Sequence, residues 1–133
     1  MSKRKAIEAR NSGTLKFEDK EYYAGMEKLV PWDRWVNFVS ARLAKEGQEM
    51  PDVELHNMVR IYLLKELNAL SDEQTGKLEA ALDRSPVLRK FARLGEGDVF
   101  PADRFRRFLE FMERTGTGRV LCCDLIEITD QSV

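Results

Sequence analysis

LHNMVRIYLLKELNAL, residues 55–70, sets Leu55, Met58, Val59, Tyr62, Leu63, Leu67 and Leu70 at steps of three and four. That spacing lines side chains along one face of an α-helix. Asn57, Arg60, Lys65, Glu66 and Asn68 fall on the opposite side and are expected to stand in water. Pro51 stops whatever precedes the helix, and Asp52 and Glu54 suit the positive end of its first turn. A helix over 52–70 follows, its sixteen-residue apolar stretch about 24 Å long. One helix cannot hide seven apolar side chains by itself, so the rest of the chain is expected to pack around it.

The flanking segments supply those partners. Tyr22, Met26, Leu29 and Val30 have the spacing of a short helix ahead of Pro31, and Leu15, Phe17 and Tyr23 add apolar surface. After Pro31 comes a second helix, to Ala44, with Trp32, Trp35, Val36, Val39 and Leu43 at helical period. Two tryptophans one turn apart read as a packing wedge. Ser71 followed by Gln74 is a capping-box pair, and opens a helix to about Asp83 that buries Leu78, Ala81 and Leu82. Ser85-Pro86 repeats the signal for a helix carrying Val87, Leu88, Phe91 and Leu94. Gly95–Asp98 reads as a loop, and Pro101 opens a last helix with Phe105, Phe108, Leu109 and Met112 inward and Gly116 and Gly118 beyond its end. Val120, Leu121, Cys122, Cys123, Leu125, Ile126 and Ile128 make a β-prone run in need of a partner edge. The expected fold is all-α: a compact bundle of about five to six helices around 52–70, with a short β-prone tail. Its divisions are a basic flexible arm at 1–13, a helical domain at 14–116 and the tail at 117–133.

At 133 residues, with 43% hydrophobic and 34% charged positions, the chain suits a single domain that builds a core without staples. No apolar run is long enough for a membrane span, and the N-terminal segment lacks the apolar stretch of a secretory signal. Cys122 and Cys123 are adjacent and read as reduced thiols of a cytoplasmic protein. His56 is the one histidine, so no zinc set is evident, and it reads as a structural or solvent-facing residue. There is no Gly-rich phosphate loop, nucleophile elbow or Cys-x-x-Cys pair. No enzyme, cofactor, metal or small-molecule substrate is expected.

The order MEKLVPW (26–32), MVRIYLLKEL (58–67), LSDEQ (70–74), LRKFARL (88–94), Pro101 and RFRRFLE (104–110) resembles the N-terminal helical domain of bacterial DDE-type insertion-sequence transposases. TLKFEDKEY (14–22) is similar to that family's lead-in, so the likeness covers about residues 14–114. It implies an all-helical domain for DNA binding and subunit contacts, with 86–94 and 101–114 in the helix-turn-helix-like region. The family usually has several more residues between the proline and the RFR motif; here only Ala102 and Asp103 intervene. The missing turn would lie where a recognition helix reads bases. GRVLCCDLI (118–126) loosely resembles the strand bearing the family's first catalytic aspartate, with Asp124 as counterpart. One carboxylate without its partners does not assemble a two-metal site.

Between Arg84 and Arg107 stand Arg84, Arg89, Lys90, Arg93, Arg104, Arg106 and Arg107 against Glu96, Asp98 and Asp103. These basic residues are the candidate DNA contacts, made mainly to phosphates. The first functional expectation is a non-catalytic, mobile-element-derived DNA-binding module that can also pair with itself or with a full-length transposase. The second is a protein-interaction module, either a dominant-negative transposase fragment or an inhibitor reused by a bacterial host or phage. Net charge of −1 favours the second.

Overall fold

The computed structural model describes residues 19–131. The arm expected over 1–13, together with Leu15 and Phe17, lies outside them. Within them the chain forms seven α-helices: α1 (Lys20–Leu29), α2 (Trp32–Lys45), α3 (Asp52–Leu67), α4 (Thr75–Arg84), α5 (Pro86–Ala92), α6 (Ala102–Arg114) and α7 (Thr117–Gln131). A 3₁₀ turn, Asp72–Gln74, leads into α4, and no strand occurs among the described residues.

The four prolines place the helix starts. Pro31, Pro51 and Pro101 are the N-cap residues of α2, α3 and α6, and Pro86 is the first residue of α5. Proline has no N–H to lose at those positions, and its fixed φ suits the entry to a helix. Ser71 donates its backbone N–H to the Gln74 side chain at 2.9 Å, and Ser85 Oγ accepts from Leu88 N at 3.2 Å. Both serine-led starts therefore form as their residues dictate.

α3 is the hub, with α2, α4, α5 and α6 packed against it; α1 lies on α5, and α7 closes on α6 and α2. The apolar face expected on α3 is buried, Tyr62 and Leu63 included. Its opposite face is mostly out of water, with Asn57 and Glu66 left partly exposed. Ile61 and Leu64 there are fully buried, and so are Arg60, Lys65 and Asn68, at 0%, 6% and 1% exposure. A helix enclosed over this much of its surface must give its buried polar groups partners inside. Asn68 Nδ2 donates to the Leu64 carbonyl at 2.9 Å and to Tyr23 Oη at 3.2 Å, while Lys65 Nζ lies 3.2 Å from Asp72. Arg60 donates to both carboxylate oxygens of Glu27, at 2.5 and 2.9 Å, and to the Phe91 carbonyl at 3.0 Å. Its guanidinium lies over the Trp32 ring, 4.0 Å from the centroid, and Trp32 meets Phe91 edge-on. The tryptophan wedge is thus one wall of an arginine pocket.

The β-prone tail is corrected. Residues 117–131 are α7, not a strand. Thr117, Leu121, Leu125 and Thr129, four apart, are its buried stripe, and Thr129 Oγ1 donates to the Leu125 carbonyl at 2.9 Å. Packing along this i, i+4 row outweighs the strand preference of valine, isoleucine and cysteine.

The side chain of Tyr62 on α3 reaches the first turn of α7 and ends against Gly118. A Cβ placed on Gly118 would lie 2.3 Å from Tyr62 Oη and 3.0 Å from Cζ. Alanine for glycine usually helps a helix. Here Gly118→Ala is expected to cost about 1–3 kcal/mol by overpacking, read from urea unfolding, and the Tyr62→Phe background should recover part of that loss. A neutral or stabilising Gly118→Ala would show that α7 does not press on Tyr62.

Candidate nucleic-acid interface

α5 and α6 turn their apolar residues inward, and their basic residues are what remains outside. On α5, Leu88, Phe91 and Ala92 are buried and Lys90 is exposed; on α6, Phe105, Phe108, Leu109, Phe111 and Met112 are buried, leaving Arg104, Arg106 and Arg107 exposed. Arg84 is exposed at the last residue of α4. Arg93 caps α5 in the left-handed conformation at φ 60°. That conformation is unusual for a residue with a Cβ, and Asn57 of α3 supports it by donating to the Ala92 and Arg93 carbonyls at 2.9 and 3.0 Å. The two helices expected as a helix-turn-helix pack chiefly on other elements, α5 on α1, α3 and α4, and α6 on α3 and α7.

The seven basic candidates divide by what already holds them. Arg89 donates to the carbonyls of Leu82, Gly95 and Asp98, at 3.5, 2.5 and 2.8 Å, and so pins the loop after α5. Arg104 bonds Glu54 of α3 at 2.9 Å, and Arg106 lies 3.7 Å from Asp103. Both pairs are exposed, and ion pairs of that kind hold their partners weakly. Arg84, Lys90, Arg93 and Arg107 have neither an ion pair nor a side-chain hydrogen bond to any described residue.

His56 sits in a shallow notch with Trp32, Asp33, Arg34 and Arg93. Burial first, then the charges of Arg93 and Arg60, hold its imidazole below the ordinary value, against the weaker pull of Asp33 and Asp52. These effects disfavour its charged form, so it is a poor source of positive field beside the arginines.

Asp124 lies on α7, on the side that meets α2. Its Oδ2 accepts from Arg34 Nη2 at 2.7 Å and from Trp35 Nε1 at 2.6 Å. Sequence reasoning placed it at a strand end; its actual work is to fix α7 to α2. The acceptors of Asn57 and Arg89 are backbone carbonyls that only the tertiary fold brings near, so helical spacing does not reveal these bonds. Among the described residues no group of three or more His, Cys, Asp or Glu side chains is placed to hold a metal ion. No helix among them is long and apolar enough to cross a membrane.

A family model described as "Transposase domain (DUF772)" matches residues 14–114. The match takes in all seven basic candidates and ends before α7. No solved structure matches the chain.

Proposed function

Since the chain belongs to this family of transposase domains, we propose that it is a non-catalytic, transposase-derived module that holds DNA through phosphate contacts and pairs with itself. The observation that carries the DNA reading is the uncommitted set Arg84, Lys90, Arg93 and Arg107. Four exposed cations without an ion-pair partner among the described residues, on or beside helices inside the matched region, can exchange water and counterions for phosphate oxygens. Arg104 and Arg106 can join them at the small cost of an exposed ion pair. Arg89 is left out, because its guanidinium already serves three carbonyls. Base reading has less support, since only Ala102 and Asp103 precede Arg104 on α6. Engagement of Asp124 by Arg34 and Trp35 supports the non-catalytic part, and two free cysteines suit a cytoplasmic address.

The test is binding of labelled duplexes of several sequences by fluorescence anisotropy across a salt series. Affinity should fall steeply and similarly for all sequences. Replacing Lys90, Arg93 and Arg107 together by glutamine should lower the slope of log K against log salt by about 2–3, nearly one unit for each phosphate no longer neutralised. A strong preference for one sequence would contradict the phosphate reading. Absence of binding at low salt would leave the second reading, a protein-interaction module without DNA, which the net charge of −1 favours.

A further inference from the structure

α7 covers its inner stripe and leaves an outer one bare. Of the four large hydrophobic residues that stand exposed among the described residues, two are on this helix, Val120 at 44% and Ile126 at 36%. Cys123 lies midway between them and is exposed as well. Arg119 and Glu127 flank this set, also exposed and each four residues from Cys123. Steps of three and four keep all five residues on one side of the helix.

This arrangement is its own complement. If two α7 helices lie antiparallel with a twofold axis at Cys123, Val120 comes level with Ile126 of the other copy, and Arg119 with its Glu127. The apolar residues then meet across the seam while opposite charges approach at both ends, whereas a parallel pairing would bring each charge level with its own kind. We propose that the outer face of α7 is a dimer interface, and that its occupant is the same face of a second copy of this chain, antiparallel and centred on Cys123. The inference deepens the self-association reading above and names its surface.

Cys123 makes the geometry testable. Packed helices have axes about 8–10 Å apart, with each Cα about 2.3 Å from its own axis. Facing Cys123 residues would then have Cα atoms about 3.4–5.4 Å apart, and the upper part of that range is a distance that a disulfide spans. Cys122 is turned inward, half-buried, with its Sγ 3.7 Å from Tyr62 Oη, and burial raises its thiol above the ordinary value. Treatment with diamide, which removes the hydrogens of two thiols as the S–S bond forms, should convert the wild type and Cys122→Ser to a covalent dimer. Cys123→Ser should give none.

A second measurement needs no thiol. In the Cys122→Ser/Cys123→Ser background, sedimentation should show a reversible dimer whose dissociation constant rises at least about tenfold with Ile126→Glu. Arg119→Glu should weaken the dimer, and adding Glu127→Arg to it should restore the affinity, which a purely structural role for either residue would not produce. A dimer indifferent to all three changes would overturn the α7 interface while sparing self-association. A chain that stays monomeric at every concentration would overturn both.

Discussion

Glu27→Leu is expected to cost about 3–5 kcal/mol of folding stability at pH 7, through the charge it strands on another residue. The side chain of Arg60 is wholly buried, whereas that of Glu27 is 40% exposed. Both carboxylate oxygens of Glu27 engage the guanidinium, whose flat face is spent on Trp32. Leucine at 27 fills a similar volume, keeps water out and leaves a full positive charge with one carbonyl, that of Phe91, as its remaining acceptor. Changing the other member should do less harm. Arg60→Met removes the charge and keeps most of the volume, Glu27 is left with a face toward solvent, and the chief loss is one donor to the Phe91 carbonyl. Urea unfolding of the two variants should show the Glu27 change costing at least twice as much. Equal losses would mean that the pocket holds Arg60 by shape and not by charge.

Acid should reproduce part of this loss in the wild type. The hydrogen bonds from Arg60 hold Glu27 below its ordinary value of 4.5, and the charges of Arg60 and Arg93 act in the same direction. A carboxyl whose folded value is depressed contributes stability that is complete above its unfolded value and is lost as pH falls through the folded one. Stability should therefore begin to drop below about pH 4.5, and Arg60→Met should flatten that drop.

Leu63→Ala is expected to cost about 2–5 kcal/mol, the range for truncating a buried leucine whose surroundings cannot collapse. Leu63 is 2% exposed on the helix against which α2, α4, α5 and α6 pack. Differential scanning calorimetry or urea unfolding would measure the change. A loss under about half a kcal/mol would mean that α3 does not occupy the centre of the domain.

The position of α3 was legible because leucine, methionine and valine recur there at helical steps, and because proline and serine mark the neighbouring helix starts. Its enclosure over most of its surface was not. Arg60, Lys65 and Asn68 read as a solvent face, since a sequence displays a polar residue but not the carboxylate at Glu27 or the hydroxyl at Tyr23 that lets it be buried. For α7 the failure was of a different kind. The row Thr117, Leu121, Leu125 and Thr129 has helical spacing, but Val120 and Ile126 on the other face hid that period inside a continuous apolar run. Of the candidate contacts, the exposure of Lys90 and Arg107 followed from the inward spacing of phenylalanine and leucine around them. The engagement of Arg89 with carbonyls and of Arg104 with Glu54 depends on pairings that helical period does not encode.

The bond from Trp35 to Asp124 joins residues 89 apart in the chain, and this separation sets an order of events during synthesis. At about 5–20 residues per second, Trp35 leaves the ribosome roughly 4–18 s before Asp124 does. For that interval α2 and α3 can meet, but Arg34 and the Trp35 indole lack their acceptor, and the places of Leu121 and Leu125 stand open to water or to another chain. Such long-range closure slows the final step relative to local helix pairing. The nascent domain is therefore most open to chaperones and to misassembly along the α2–α7 seam, which is the last part of it to shut.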